Sequence, residues 1–327
     1  MGIVRLRRRR FAAAFLVVAI ALLSPPFRSR VKAVLLVLEV LPSSVRPLSV
    51  ITPEPRRTDV SLAGGPADLY RPRGFSNPPG VVLIHGANPE GKDDPRVRSL
   101  AAALSRTGRR VLVPQFELRH GRLDLEDLRL CRQAVSFLGR DVGVLAFSYG
   151  GGLALVALAE EPEVQERVAF VATVGTYFDL AHIIQGVTTG TVPYRGRDLP
   201  WRTATNARDQ AAEQLAAFIE DRPGEALGRA WRSSNPDLLD PETRAIYDLL
   251  ANEDPARVRS LLRALPDDLL GLIERISPSS WTDRIHAPVY ALHASTDPAA
   301  PPTESLLLVE ALAPRVEARF YEVDFLE

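Results

Sequence analysis

Between residues 80 and 174 the chain alternates short, unbroken apolar runs with longer stretches whose apolar residues recur every three or four positions. The runs at 80–84 (GVVLI), 110–116, 142–147 and 168–174 show no polar alternation, as expected of strands covered on both faces. The stretches at 97–104, 125–138 and 151–159 between them carry helical spacing. A βαβα order of this kind specifies an α/β fold, a doubly wound, mostly parallel sheet with helices on both sides. From 180 to 280 the rhythm stops. Segments 211–219, 225–231, 245–250 and 258–265 are helical in spacing, and Pro-Asp, Asn-Pro and Asp-Pro pairs separate them. The strand pattern resumes at 288–292 (PVYAL), followed by a helix at 303–312 and a last strand at 318–323 (ARFYEV). The expected organisation is a core of 65–179 and 281–327, with a helical cap of 180–280 inserted in it.

The N-terminus has a different character. Arg5 and the run Arg7 to Arg10 precede an apolar stretch at 11–23, which Pro25 and Pro26 end. A basic start with a short apolar middle is the layout of an export signal. As a helix, thirteen residues reach about 20 Å at ~1.5 Å each, short against the ~30 Å core of a bilayer. Residues 1–30 are therefore expected to be a signal or a membrane anchor. The Arg cluster then stays on the cytoplasmic side and the globular part lies on the other. A second apolar stretch, 34–41, is interrupted by Glu39 and is too short to span; it suits a helix lying on a membrane surface or against the folded domain. Residues 31–64 as a whole read as a linker, with proline and serine frequent from 42 onward.

Composition removes several function classes. Lys plus Arg and Asp plus Glu number 40 each, so the net charge is zero, which argues against general electrostatic binding of nucleic acid. The basic residues are almost all Arg, the lysines being Lys32 and Lys92. A single cysteine, Cys131, allows no intrachain disulfide and no cysteine metal site. It falls in a helical segment and reads as a buried, inert thiol. Phosphate-loop and H-E-x-x-H metal motifs are absent from the sequence.

The chemistry points to one turn. Ala146-Phe147-Ser148-Tyr149-Gly150-Gly151 lies between a strand and a helix. A serine on so tight a turn is pushed above the sheet, at the positive end of the following helix. Small residues two before and two after it permit the close approach of backbones. Gly150 meets that need fully, and Ala146 departs from the usual glycine by one methyl.

Together with the strand and loop Val81-Val82-Leu83-Ile84-His85-Gly86-Ala87-Asn88, this turn resembles the α/β-hydrolase family of serine esterases and lipases, from about Ala67 onward. The resemblance implies an oxyanion hole made by the amide of Tyr149 and that of Ala87 (or Asn88), with His85 a structural member of its loop. It also implies an acid in the segment Leu292-His293-Ala294-Ser295-Thr296-Asp297-Pro298. Asp297 is the candidate, and Asp179 is the runner-up, because some members place the acid after the preceding strand. The family's base is a histidine after the last strand. That strand runs into Asp324-Phe325-Leu326-Glu327, and no histidine follows it in this sequence. His85, His120, His182, His286 and His293 all lie elsewhere. Two expectations stand: the histidine lies beyond a truncation point, or the chain is catalytically inactive or nearly so.

The implied reaction is cleavage of an ester-type acyl bond through an acyl-enzyme on Ser148, without cofactor or metal. The cap suggests a hydrophobic, lipid-like ester as substrate. Trp201, Trp231 and Trp281, in or beside the cap, either pack within it or line an acyl pocket. A non-catalytic hydrolase-like binding scaffold at the membrane and an acyltransferase are the alternatives.

Overall fold

The computed structural model describes residues 27–40, 46–120, 125–218 and 222–323. The apolar run at 11–23 and the tail 324–327 lie outside the described residues. An eight-stranded sheet has the order β1-β2-β4-β3-β5-β6-β9-β10. Its strands are β1 (Arg56–Leu62), β2 (Gly65–Arg71), β3 (Gly80–Ile84), β4 (Arg110–Pro114), β5 (Val142–Phe147), β6 (Val168–Val174), β9 (Val289–Ala294) and β10 (Ala318–Val323). β2 is antiparallel to both β1 and β4; every other pairing is parallel. The doubly wound, mostly parallel α/β sheet read from the sequence is what forms.

Alternate residues of the central strands feed two cores. Val82, Ile84, Val144 and Ala146 pack under α4 (Leu125–Leu138), α5 (Tyr149–Glu160) and α13 (Pro302–Leu312). Val81, Leu83, Val111 and Leu145 pack under α1 (Phe27–Val40) and α3 (Pro95–Arg106). Both faces are covered, which is why these strands could be continuously apolar. Cys131 is buried in α4, and burial pushes its thiol up to about 12.

Residues 31–64, read from the sequence as a linker, contain most of α1, then α2 (Pro47–Ile51) and β1. Glu39 interrupts the apolar run because its carboxylate turns inward. It accepts the Leu48 and Ser49 amides at 2.7 and 3.2 Å, and the Ser49 hydroxyl as well. β1 and β2 form a hairpin closed by Ala63-Gly64, in register from Arg56↔Arg71 to Leu62↔Gly65. As an edge strand, half exposed and bearing Arg, Asp and Ser, β1 shows no apolar run.

Between β6 and β9 the chain builds α7 (Leu180–Thr189), the hairpin β7 (Thr191–Tyr194) and β8 (Arg197–Pro200), α8 (Ala207–Phe218), α9 (Arg222–Ser233), α10 (Pro241–Leu250), α11 (Pro255–Leu262) and α12 (Asp267–Arg275). The Asp-Pro pairs that punctuate this stretch are helix starts. Asp240 and Asp254 cap the amides of α10 and α11 with their side chains, and the proline follows at the first helical position, where no amide is needed. Among the described residues no helix is long and apolar enough to cross a membrane.

Candidate active site

Ser148 joins β5 to α5 with φ 52° and ψ −134°, a conformation that ordinary residues adopt at a cost of ~1–3 kcal/mol. Its amide donates to the Val174 carbonyl at 2.7 Å, and its own carbonyl accepts from Gly151 at 3.0 Å. The side chain does not cap α5, and among the described residues its hydroxyl makes no hydrogen bond. Ser148 is partly exposed, not packed into the core.

The turn is held by contacts that tolerate no added carbon. A Cβ on Gly150 would stand 2.7 Å from the His85 carbonyl oxygen, one on Gly86 3.0 Å from the Ser148 Cβ, and one on Gly152 2.3 Å from the Tyr177 ring. Gly150→Ala is expected to destabilise the fold by about 1–3 kcal/mol, because its nearest obstacle is backbone. In α12, Gly271 has nothing within 4 Å of the same position. Gly271→Ala should therefore stabilise by about 0.4–1 kcal/mol. Urea melts of the two variants check both signs.

Facing Ser148, the loop after β3 is braced on several sides. Asp94 caps α3, and its carboxylate also accepts from the Asn88 amide group. The Arg96 guanidinium, bonded to it at 2.7 Å, holds that carboxyl well below the usual range. Lys92 donates its amide to Gln115 at 2.8 Å and reaches the buried Asp68 at 3.3 Å; Arg57 meets Asp68 at 2.6 Å. On the braced loop Ala87 is exposed, and its amide donates to no backbone carbonyl among the described residues. Tyr149 opens α5, so its amide has no carbonyl one turn back. Neither sequence-predicted oxyanion donor, Ala87 or Tyr149, thus spends its amide on a backbone carbonyl among the described residues, and Gly86, next to Ala87, packs against the Ser148 Cβ. Asn88 spends its side chain on the loop itself, accepting from Glu90 at 3.1 Å.

Asp297 follows β9. One oxygen, Oδ1, accepts the amides of Ala299 and Ala300 at 2.8 and 3.1 Å. Oδ2 points toward the end of β6, 2.9 Å from where a Gly175 Cβ would be, at a position with φ 65°. Only a glycine there leaves room for this carboxylate. Asp179, the runner-up, uses both oxygens structurally: Oδ1 caps α7 through Ala181 at 2.9 Å, and Oδ2 accepts from Ser279 at 3.0 Å.

No histidine is brought onto the Ser148 hydroxyl among the described residues. His85 donates from Nδ1 to the Gly86 carbonyl at 2.8 Å and accepts the Phe116 amide on Nε2 at 3.2 Å; burial lowers its pKa. His293 is fully buried, with Nδ1 bonded to Ser305 at 2.7 Å and Nε2 to the Ala300 carbonyl at 2.9 Å. Asp297 Oδ2 lies 3.5 Å from His293 Nε2, and burial lowers the His293 pKa in spite of that charge. His120 is exposed beside Glu117, and His286 precedes β9, at the N-terminal end of the parallel strands and so opposite to Ser148.

His182 belongs to a junction that the sequence did not reveal. Glu304, fully buried in the first turn of α13, accepts the Phe178 and Asp179 amides at 2.9 and 2.8 Å and meets His182 Nδ1 at 2.9 Å. Burial works against protonation of His182, but the bond to Glu304 and its charge prevail and raise the pKa. Glu304→Ala leaves two backbone amides and an imidazole without their acceptor, and is expected to cost about 3–5 kcal/mol. The His182 contribution has the sign of a raised pKa. It is complete below the unfolded value of about 6.5 and is lost as pH rises through the folded value. Thermal melts across that range should show the slope in the parent and not in Glu304→Ala.

The aromatic residues mostly pack. Trp231 donates to Asp209 at 2.9 Å and Trp281 to the Arg275 carbonyl at 2.7 Å. Trp201 presses on Gly186 and donates to the Asp297 carbonyl at 2.9 Å, tying the 180–280 segment to the loop after β9. Tyr149 stacks on Tyr177 with centroids 5.3 Å apart. Burial, then the charges of Asp297 and Glu304, raise the Tyr149 pKa.

The sequence matches the family described as the Alpha/beta hydrolase family over residues 81–324. No curated protein matches it. Solved structures with similarity include an acylaminoacyl peptidase of Pyrococcus horikoshii, at 13% identity and TM-score 0.47, covering 84% of this chain; the chain spans only 38% of that peptidase. An esterase from the bacterial hormone-sensitive lipase family is 14% identical, with TM-score 0.48 and coverage of 98% and 89% of the two chains. A Pyrobaculum calidifontis esterase is 17% identical, with TM-score 0.48 and coverage of 98% and 85%. The family match begins in β3, before the 85–94 loop, and runs past the end of β10. Six of the eight strands of the sheet and all of residues 180–280 fall inside it, and the chain belongs to the alpha/beta hydrolase family.

Proposed function

We propose that this hydrolase cleaves ester-type acyl bonds through a covalent acyl-enzyme on Ser148. The observation that carries the reading is the strained backbone of Ser148, at the C-terminal end of β5, whose hydroxyl does not cap α5 and has no partner among the described residues. In the first step the oxygen of Ser148 bonds to the carbonyl carbon, and the bond from that carbon to the alcohol oxygen breaks. The alcohol leaves with a proton. Water then adds to the acyl-serine and releases the acid. The negative charge that forms on the carbonyl oxygen is received by the Ala87 and Tyr149 amides, each donor of this kind being worth ~3 kcal/mol. Asp297, with Oδ2 directed across Gly175, is the acid that would orient a histidine base in taking the Ser148 proton, a base that none of the described histidines supplies. Tyr149, half-buried against the apolar cluster of Tyr177, Leu180 and Ile183, is the apolar surface next to Ser148 that a hydrophobic acyl chain would meet.

The test is labelling of the protein, expressed from its complete reading frame, with a fluorophosphonate probe. A phosphonyl adduct mapped to Ser148 and lost in Ser148→Ala supports the reading. Absence of any adduct favours a binding scaffold. The observation on the scaffold's side is that none of the described histidines contacts the Ser148 hydroxyl. An acyltransferase would label equally and differ in product: an ester of an added alcohol in place of the free acid.

A further inference from the structure

A cavity of about 320 Å³ lies where α1 crosses the segments that lead into β3 and β4. Its walls include Lys32 and Leu36 of α1, Phe75 and Asn77 before β3, and Thr107 and Arg109 before β4. The lining holds two cations and no acidic side chain. Lys32 donates to the Thr107 carbonyl at 2.8 Å, which leaves it two further donors, and lies over the Phe75 ring at 5.8 Å. Arg109 has no hydrogen bond or ion pair among the described residues, and burial lowers its pKa. A guanidinium set into a wall without a partner is a costly arrangement unless an anion completes it.

Outside the cavity the surface is apolar. Val31, Val34 and Leu38 form one exposed stripe on α1, with Val34 58% exposed. On α2, which packs against α1, Val50 and Ile51 are 84% and 64% exposed. With Phe75, these account for six of the nine large apolar side chains exposed among the described residues. Glu39, the acid of α1, is turned inward to α2, so the exposed side chains described on α1 are Val31, Val34 and Leu38 with the cations Arg30 and Lys32. Its place in the sequence is equally particular. The Arg-led apolar run at 11–23 ends four residues before Phe27, a reach of at most ~14 Å of extended chain.

We propose that the α1–α2 face is a membrane-docking surface that seats the phosphate of an anionic phospholipid in the Lys32–Arg109 cavity. Aliphatic side chains beside a cationic pocket match the acyl and headgroup layers of a bilayer in order. A purely aqueous anion would have no use for the stripe. The cavity lies at the N-terminal ends of β3 and β4, and Ser148 at the C-terminal end of the parallel β5. Docking by this face leaves the Ser148 rim turned from the lipid, roughly the length of a five-residue strand, ~16 Å, away. The proposal does not depend on the chemistry of Ser148.

The test uses the full chain carrying Phe75→Trp, reconstituted into phosphatidylcholine vesicles with phosphatidylglycerol, one lipid brominated at a time. The expected result is that emission from the introduced indole is quenched more by brominated phosphatidylglycerol than by brominated phosphatidylcholine. Trp201, Trp231 and Trp281 should be quenched by neither. Lys32→Gln with Arg109→Gln removes the preference, a change of roughly 30-fold in relative headgroup affinity for two cations. Val34→Asp, on an exposed position that leaves folding intact, lowers quenching by both lipids. The proposal is overturned if the introduced indole is quenched no more than the native tryptophans. Equal quenching by the two lipids that the double substitution leaves unchanged also overturns it. So does glycerol phosphate, added to detergent-solubilised protein, if it shifts the emission as strongly as the lipid does, since the site then serves a free phosphate ester.

Discussion

On the proposed mechanism, Ser148→Ala is expected to lower kcat/KM for an aryl ester by about 10⁴- to 10⁶-fold, because the acyl intermediate forms on the hydroxyl it removes. Stopped-flow and steady-state assays of p-nitrophenyl esters measure the loss, and the burst of released phenol should vanish with it. Stability should hardly change, since alanine keeps the Cβ and the hydroxyl makes no bond among the described residues. Ser148→Gly separates geometry from chemistry. It removes activity equally but relieves a φ of 52° with ψ −134°, so this variant should melt later than the parent by the equivalent of about 1 kcal/mol. A gain in stability on removal of the side chain is the mark of strain retained for function.

Asp297→Asn is expected to reduce kcat by about 10⁴-fold with little change in KM, the cost of presenting the base in the wrong tautomer. The fold should survive, because the asparagine carbonyl can still accept the Ala299 and Ala300 amides that Oδ1 holds at 2.8 and 3.1 Å. The loss then reports on Oδ2 alone. Asp179→Asn is the matched comparison. Its oxygens cap α7 and bind Ser279, so it should lower the melting temperature modestly and leave kcat within a few-fold. Reversal of these two results would move the acid to Asp179.

The parts legible in the sequence were those with a local physical signature. β3, β5 and β6 announced themselves because burial on both faces forbids polar alternation. The Ser148 turn did so because a carbonyl 2.7 Å from the would-be Cβ of residue 150 admits only glycine there. Asp240 and Asp254 were visible as punctuation, though their role as caps needed the structure. Other features had no such signature. β1 is half exposed and its pattern is that of an irregular polar segment. The hairpin of β7 and β8 and the helix α12 were absorbed into a stretch read only as helical and charged. Glu304 is one acid among many in sequence, and only the return of the chain at Phe178 and Asp179 makes it a buried acceptor. A long-range partner of that kind leaves no trace in spacing.

The chain leaves the sheet and comes back to it at adjoining points. Ser279 donates its amide to the Phe178 carbonyl at 2.9 Å, and the Ser277 hydroxyl accepts from Leu180 at 3.0 Å. Everything between these stitches is topologically a cassette. A short bridge, or the corresponding piece of another relative, could be spliced across so narrow a gap without rewinding a single strand. Such an exchange would leave the order of the eight strands unchanged, but it would have to carry replacements for His182 and Trp201, which reach back to Glu304 and the Asp297 carbonyl.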